Sequence, residues 1–158
     1  RVIASNLSAV ENNYASSDSD RNGRATLAGL EDGRILVSIN HAPYVRAHVY
    51  VELKEIEGSA RVRVVLEPGA TIRGQVRDAS GNLVRAGKVS VLRSSTTAVG
   101  SYSLFSAEID DSGNYSISGV APGTYEVVFK DRRIVLDPAP RGQIEVTGTE
   151  VYFLDLWP

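Results

Sequence analysis

The sequence predicts an all-β fold: two tandem antiparallel β-sandwich modules, the first lacking its N-terminal strand. Three observations carry this expectation. A set of aspartates, glycines and apolar residues recurs at one fixed interval; apolar and polar residues alternate over short stretches bounded by turns; and no stretch shows a convincing run of apolar residues at helical spacing.

The repeat comes first, because it sets the number of modules. Asp20, Gly23, Gly29, Gly33, Val37 and Val45 recur as Asp110, Gly113, Gly119, Gly123, Val127 and Val135, each 90 residues on. The register runs ungapped through Glu55/Glu145, Gly58/Gly148, Leu66/Leu156 and Pro68/Pro158, with similar residues at Leu27/Ile117, Leu30/Val120, Ile39/Phe129 and Ile56/Val146. Glycines recur where turns need positive φ or close backbone approach, and apolar positions recur where they face a core. The expected modules are 1–68 and 69–158. Near the N-terminus Arg1-Val2-Ile3-Ala4 resembles Lys88-Val89-Ser90-Val91 at an offset of about 87, and little sequence is left ahead of it to match Ala70 to Arg77. Module one therefore lacks a first strand.

In module two Ile72, Gly74 and Val76 alternate with Arg73, Gln75 and Arg77, the period of a half-buried strand. Asp78-Ala-Ser-Gly-Asn82 reads as a turn. Further strands are expected at Val89 to Leu92, Tyr102 to Ile109, Asn114 to Ile117, Thr124 to Phe129, Ile134 to Asp137, Gln143 to Val146 and Val151 to Leu156. In module one Val45, Ala47, Val49, Val51 and Leu53 form an inner face, which leaves Arg46, His48, Tyr50 and Glu52 on the wet side. Glu67-Pro68-Gly69-Ala70 is the one linker candidate, too short for freely jointed modules, so a semi-rigid rod is expected.

Composition narrows the function classes. Seventeen Lys and Arg against nineteen Asp and Glu, with no block of like charge, give no basic footprint for nucleic acid. No apolar run approaches the roughly 20 residues that span a bilayer, so no membrane insertion is expected. With no Cys, disulfides and thiolate metal sites are excluded. The absence of Met, an initiator included, reads as the mark of a fragment.

Ile72-Arg-Gly-Gln-Val-Arg-Asp78, Gly81-Asn-Leu-Val-Arg-Ala-Gly-Lys-Val89, Asp111-Ser-Gly-Asn-Tyr115 and Gly119-Val-Ala-Pro-Gly-Thr-Tyr125 together resemble the carboxypeptidase regulatory-like, or transthyretin-like, domain family. Module one matches from Asp20 through Leu66, including Gly29-Leu-Glu-Asp-Gly33 and Ala42-Pro-Tyr44. The resemblance implies a prealbumin-like, Ig-like sandwich of seven or eight strands, found as an accessory, spacing or adhesive module in secreted and bacterial envelope proteins. It implies no chemistry.

Each candidate site in the sequence has an ordinary structural explanation. Asp18, Asp20 and Asn22, followed by Gly23, resemble the start of a calcium loop, but the bidentate Glu due at the twelfth position falls on Gly29. A hairpin turn explains them, with a weak calcium site as the alternative. His41 and His48 near Tyr44 and Tyr50 are similar in type to the two-His, two-Tyr iron set of intradiol dioxygenases, but the spacing is wrong and the alternation makes them surface residues. The terminal motif of hydroxyisourate hydrolases is replaced by Asp155-Leu-Trp-Pro158. The isopeptide-forming strand Lys of collagen-adhesin modules is absent from Ile72-Arg73-Gly74-Gln75. No serine lies in a Gly-x-Ser-x-Gly elbow, so no catalytic residue and no cofactor are assigned.

The expected function is a non-catalytic structural or interaction module of a larger extracytoplasmic protein, cell-surface, secreted or periplasmic, and bacterial. A strand donated by a neighbouring copy, a protein partner or a cleaved upstream segment would complete module one at an open edge along Val2, Ile3, Ala4 and Ser5, the alternative being an edge left open by an arbitrary boundary at Arg1. The alternative is a carbohydrate-binding accessory module of a secreted enzyme, using Tyr44, Tyr50, Tyr102 or Trp157 as ligand contacts. An enzyme ranks third, with only His41 and His48 to draw on.

Overall fold

The computed structural model describes residues 1–9, 13–54, 58–93, 103–130 and 139–158. Among the described residues every regular element is a strand. The chain divides into two compact units, Arg1–Glu67 and Pro68–Pro158.

Unit 1 holds β1 (Val2–Asn6), β2 (Tyr14–Ser17), β3 (Gly33–Ile39) and β4 (Ala47–Leu53) in one antiparallel sheet of order β2-β1-β3-β4. β4 alternates as its sequence requires: Ala47, Val49, Val51 and Leu53 turn inward, while His48, Tyr50 and Glu52 are exposed. Ala4, Ile35 and Val37 are buried at the centre, with Val2, Leu27, Leu30, Ile39, Val49, Val51 and Leu53 packed around them.

The edge expected to be open at Val2 to Ser5 is closed. Val2 pairs with Ser17 on one side and Ile39 on the other, and Ala4 with Ala15 and Val37, so β1 is an interior strand. The reason lies in unit 2. There the strand preceding the counterpart of β1 belongs to the opposite sheet, so its absence opens a gap elsewhere.

Unit 2 is a sandwich of two sheets. β5 (Ala70–Gln75) lies between β8 (Asn114–Val120), antiparallel, and β11 (Val151–Phe153), parallel. The facing sheet takes β10 (Arg141–Val146), β9 (Gly123–Lys130), β6 (Lys88–Arg93) and β7 (Ser103–Glu108) in that order. Ile72, Val76, Val89, Val91, Val120, Tyr125, Val127, Val146 and Leu156 are fully buried between the sheets. At roughly 1.5–3 kcal/mol per buried side chain of this size, this double layer is the main stabilising element.

Pairings in the two units correspond. Val2↔Ile39 and Ala4↔Val37 in unit 1 match Val89↔Phe129 and Val91↔Val127 in unit 2, and Ala4↔Ala15 matches Val91↔Phe105. The ungapped repeat fails in one hairpin. Gly33 pairs with Leu53, but Gly123 pairs with Val146, so Leu53 rather than Ile56 takes the pairing position of Val146. Ile56 and the expected strand Ile134 to Asp137 lie outside the described residues. The strand expected over Val151 to Leu156 is regular only to Phe153, and Val76 then meets Leu156 in an isolated bridge.

Candidate interaction surface

The aspartate turns close on themselves. Asp20 Oδ1 accepts from the N–H groups of Asn22 (2.8 Å) and Arg24 (2.9 Å), while Gly23 N–H donates to the Asp20 carbonyl at 3.0 Å. The same wiring recurs at Asp78, with Ser80 and Asn82, and at Asp110, with Ser112 and Asn114. Gly23, Gly81 and Gly113 occupy the one left-handed position of each turn, at φ 74°, 82° and 77°. The backbone N–H of Asn114 foremost holds the Asp110 carboxyl below its ordinary range against some desolvation, and that of Asn82 does the same for Asp78.

This geometry supports the local-turn reading of Asp18, Asp20 and Asn22. Asp20 aims its Oδ1 into its own backbone, and Asp18 lies 3.9 Å from the Arg1 amine. Among the described residues no three His, Cys, Asp or Glu side chains converge as metal ligands.

The candidate aromatics are scattered rather than gathered. Tyr44 stacks on His41 beside the β3–β4 connection, with ring centroids 5.8 Å apart. Tyr50, on the exposed face of β4, carries the Arg34 guanidinium 4.3 Å from its ring centre. Trp157 carries that of Arg77 at 5.5 Å. Tyr102 lies outside the described residues. His48 Nδ1 is 2.9 Å from the Ser38 hydroxyl on the same exposed face. Sequence reasoning missed Phe153, whose ring is 78% exposed at the mouth of an open cleft with Arg73, Gln75, Glu108, Tyr115 and Asp155. Its alternation with the half-buried Tyr152 and Leu154 gives no sign of the cleft.

The most distinctive feature of unit 1 is a pair of stretches without backbone pairing. The 90-residue register places Arg24–Leu30 on β8 and Arg61–Leu66 on Val151–Leu156, the two neighbours of β5. In unit 1 neither stretch is a strand. Among the described residues no backbone hydrogen bond reaches Ala25–Ala28 or Arg61–Leu66. Gly29 nevertheless holds φ 77°, matching φ 78° at Gly119. In unit 2 that conformation forms a bulge where β5 enters, and a Cβ added to Gly69 would lie 2.6 Å from the Gly119 backbone. A Cβ added to Gly29 would meet nothing within 4 Å.

An all-β chain whose second unit closes two sheets over one core falls among the β-sandwich proteins. The family description "carboxypeptidase regulatory-like domain" matches residues 71–153, more than half of the chain, and the chain belongs to that family. Similar solved structures include a streptococcal ancillary pilin, at 10% identity and TM-score 0.41, aligned over 93% of this chain and 50% of that one. A shaft pilin from Lactobacillus rhamnosus GG aligns at 14% identity and TM-score 0.36, over 89% of this chain and 65% of the other. This chain thus spans less than two thirds of either protein. Among curated proteins no relative matches.

Proposed function

We propose that the chain is a non-catalytic structural and interaction module, part of a larger bacterial extracytoplasmic or cell-surface protein. Its two units are copies of one sandwich module, arranged as a semi-rigid rod, and the first copy is completed by a donated strand. The observation that carries this reading is the unpaired backbone of Ala25–Ala28 and Arg61–Leu66 beside a second unit in which the equivalent residues flank β5. Unpaired edges of this kind recruit another strand. The shortness of Glu67-Pro68-Gly69-Ala70 supports the rod. Solution scattering from the whole chain tests it: an extended profile of fixed length is expected, and a compact globule or freely reorienting units would overturn the rod.

A carbohydrate-binding accessory role is the second reading, favoured by one observation. The exposed ring of Phe153 stands beside Arg73 and Asp155 in an open cleft, an apolar platform rimmed by hydrogen-bonding groups. A glycan array probed with the chain and with Phe153→Ala tests it. Binding lost in the variant would favour this reading, and an array blank for both proteins would end it.

A further inference from the structure

β4 is the terminal strand of the unit 1 sheet: among the described residues it pairs with β3 and with no other strand. Its counterpart β10 is terminal too, in a unit where β5 is present, but there the Arg141 N–H donates to the Trp157 carbonyl and closes the start of the edge. In unit 1 the Glu67 carbonyl, at the repeat position of Trp157, accepts instead from the Val45 N–H, ahead of the strand. Ala47–Leu53 thus keeps a seven-residue edge with no further backbone partner among the described residues.

The backbone groups that face this edge can be assigned. Leu7 N–H donates to the Arg34 carbonyl and Asn40 N–H to the Arg1 carbonyl, so the even-numbered residues of β3 face β1 and its odd-numbered residues face β4. In an antiparallel ladder the N–H and C=O of one residue point to the same neighbour. With Ile35 opposite Val51 and Val37 opposite Val49, the odd-numbered residues of β4 are bonded to β3. His48, Tyr50 and Glu52 therefore hold their N–H and C=O out to the open side.

The sequence of this edge is complementary to itself. Two copies of β4 laid antiparallel about a twofold axis through Val49 set Arg46 opposite Glu52 at both ends, His48 opposite Tyr50 twice, and Ala47 opposite Val51. The even-numbered residues then meet as hydrogen-bonded pairs, as their outward N–H and C=O require. Both charge pairs fall on the wet face, where Arg46, His48, Tyr50 and Glu52 are exposed, and the apolar residues meet on the inner one. Sliding the copies by two residues one way sets Arg46 opposite Lys54, a like-charge pair, and the other way leaves Glu52 opposite Tyr44. A slide of one residue turns the apolar face outward. No proline, bulge or inward-pointing charge guards Ala47–Leu53 against such pairing.

We propose that the β4 edge is a self-association surface whose occupant is β4 of a second copy of this chain, antiparallel, with Val49 on the twofold axis, so that the two four-stranded sheets run on as one. The site goes beyond the donated-strand reading and does not depend on it.

Sedimentation equilibrium of the whole chain tests it. A seven-residue ladder is a small interface, so a dissociation constant on the order of 0.1 mM is expected, with dimer evident by about 1 mM. Glu52→Arg and Arg46→Glu each turn two attractive pairs into repulsive ones and should weaken the dimer roughly tenfold or more. Mixed with each other, the two variants regain opposite charges at both ends, and a heterodimer of about the parent affinity should form. His48→Pro removes an N–H that faces the edge and none from the β3 ladder, so it should abolish the dimer while the amides of Ile35 and Val37 stay protected from exchange. A parent chain that remains monomeric, single reversals that dimerise as the parent does, variants that ignore each other on mixing, or a dimer that survives His48→Pro would each overturn β4 as the contact.

Discussion

The Tyr115 hydroxyl donates to the Leu154 carbonyl at 2.5 Å, reaching across Gly74 from the far side of β5. The bond stands where the β5–β11 ladder is interrupted without a change of register, Phe153 standing opposite Arg73 before the break and Leu156 meeting Val76 after it. Gln75 N–H donates to the Asp155 side chain at 2.8 Å instead of to a strand carbonyl, and Leu156 N–H then resumes the ladder on the Gln75 carbonyl. Burial foremost, then the nearby Asp155 charge, pushes the Tyr115 phenol up.

Replacing Tyr115 with Phe leaves the carbonyl of the partly buried Leu154 without its partner. The expected cost is about 1–2 kcal/mol, read as a lower chemical-denaturation midpoint of unit 2. Because the folded-state pKa is raised, the stability that neutral Tyr115 contributes is complete below the unfolded phenol value of 10.0 and is lost as pH rises above it. The Phe variant should therefore lose less stability than the parent at alkaline pH, and an unchanged alkaline profile would contradict the assignment.

Gly74→Ala should be more damaging. An added Cβ would lie 1.8 Å from the Leu154 oxygen, backbone that cannot swing away. A loss of about 2–3 kcal/mol is expected, with the unit 2 core loosened and β11 detached. Thermal unfolding monitored at Trp157, the only tryptophan, checks it.

Acid should weaken the aspartate turns. The carboxyls of Asp78 and Asp110 are held below their ordinary 3.8, so the stability they contribute is complete above that value and is lost as pH falls through the depressed folded one. The double variant Asp78→Asn, Asp110→Asn should melt with a shallower pH dependence below about pH 4. Parallel acid profiles for parent and variant would count against these turns as the acid-sensitive element.

Local opening in unit 1 should be uneven. Amides of Ala25–Ala28 and Arg61–Leu66 should exchange with solvent roughly a hundredfold faster than those of the interior Ile35 and Val37. Residue-resolved exchange on the unaltered chain is the check.

Calcium should bind no more tightly than the millimolar range, since Asp20 spends one carboxylate oxygen on its own backbone. Micromolar affinity by calorimetry would overturn this.

The features legible in the sequence were the local ones. The alternation of Val49, Val51 and Leu53 and the turn over Asp78-Ala-Ser-Gly-Asn82 each follow from a few neighbouring residues, and both stand as read. Gly74 shows where local reading stops. Between Ile72 and Val76 it looks like a third inward position, yet its lack of a side chain serves the passage of Leu154. The open edge expected at Val2 to Ser5 fails for the same reason. Strands adjacent in sequence need not be adjacent in a sheet: β5 and β6 lie in opposite sheets, and β5 finds its parallel partner about 80 residues on. No short-range pattern encodes a parallel pairing over that distance.

That long-range pairing also sets a timetable. β5 is the first strand of unit 2 to be synthesised, but its contacts on β8 come 39 residues later and those beside β11 come 80 residues later. At about 5–20 residues per second, Ile72 waits on the order of 4–16 s before both neighbours exist. During that interval an apolar strand is bare, with Arg73 and Arg77 as its charged gatekeepers against self-association. Unit 2 is therefore a domain whose centre is made first and locked last, and nascent chains ending before Leu156 should depend on chaperones where completed ones do not.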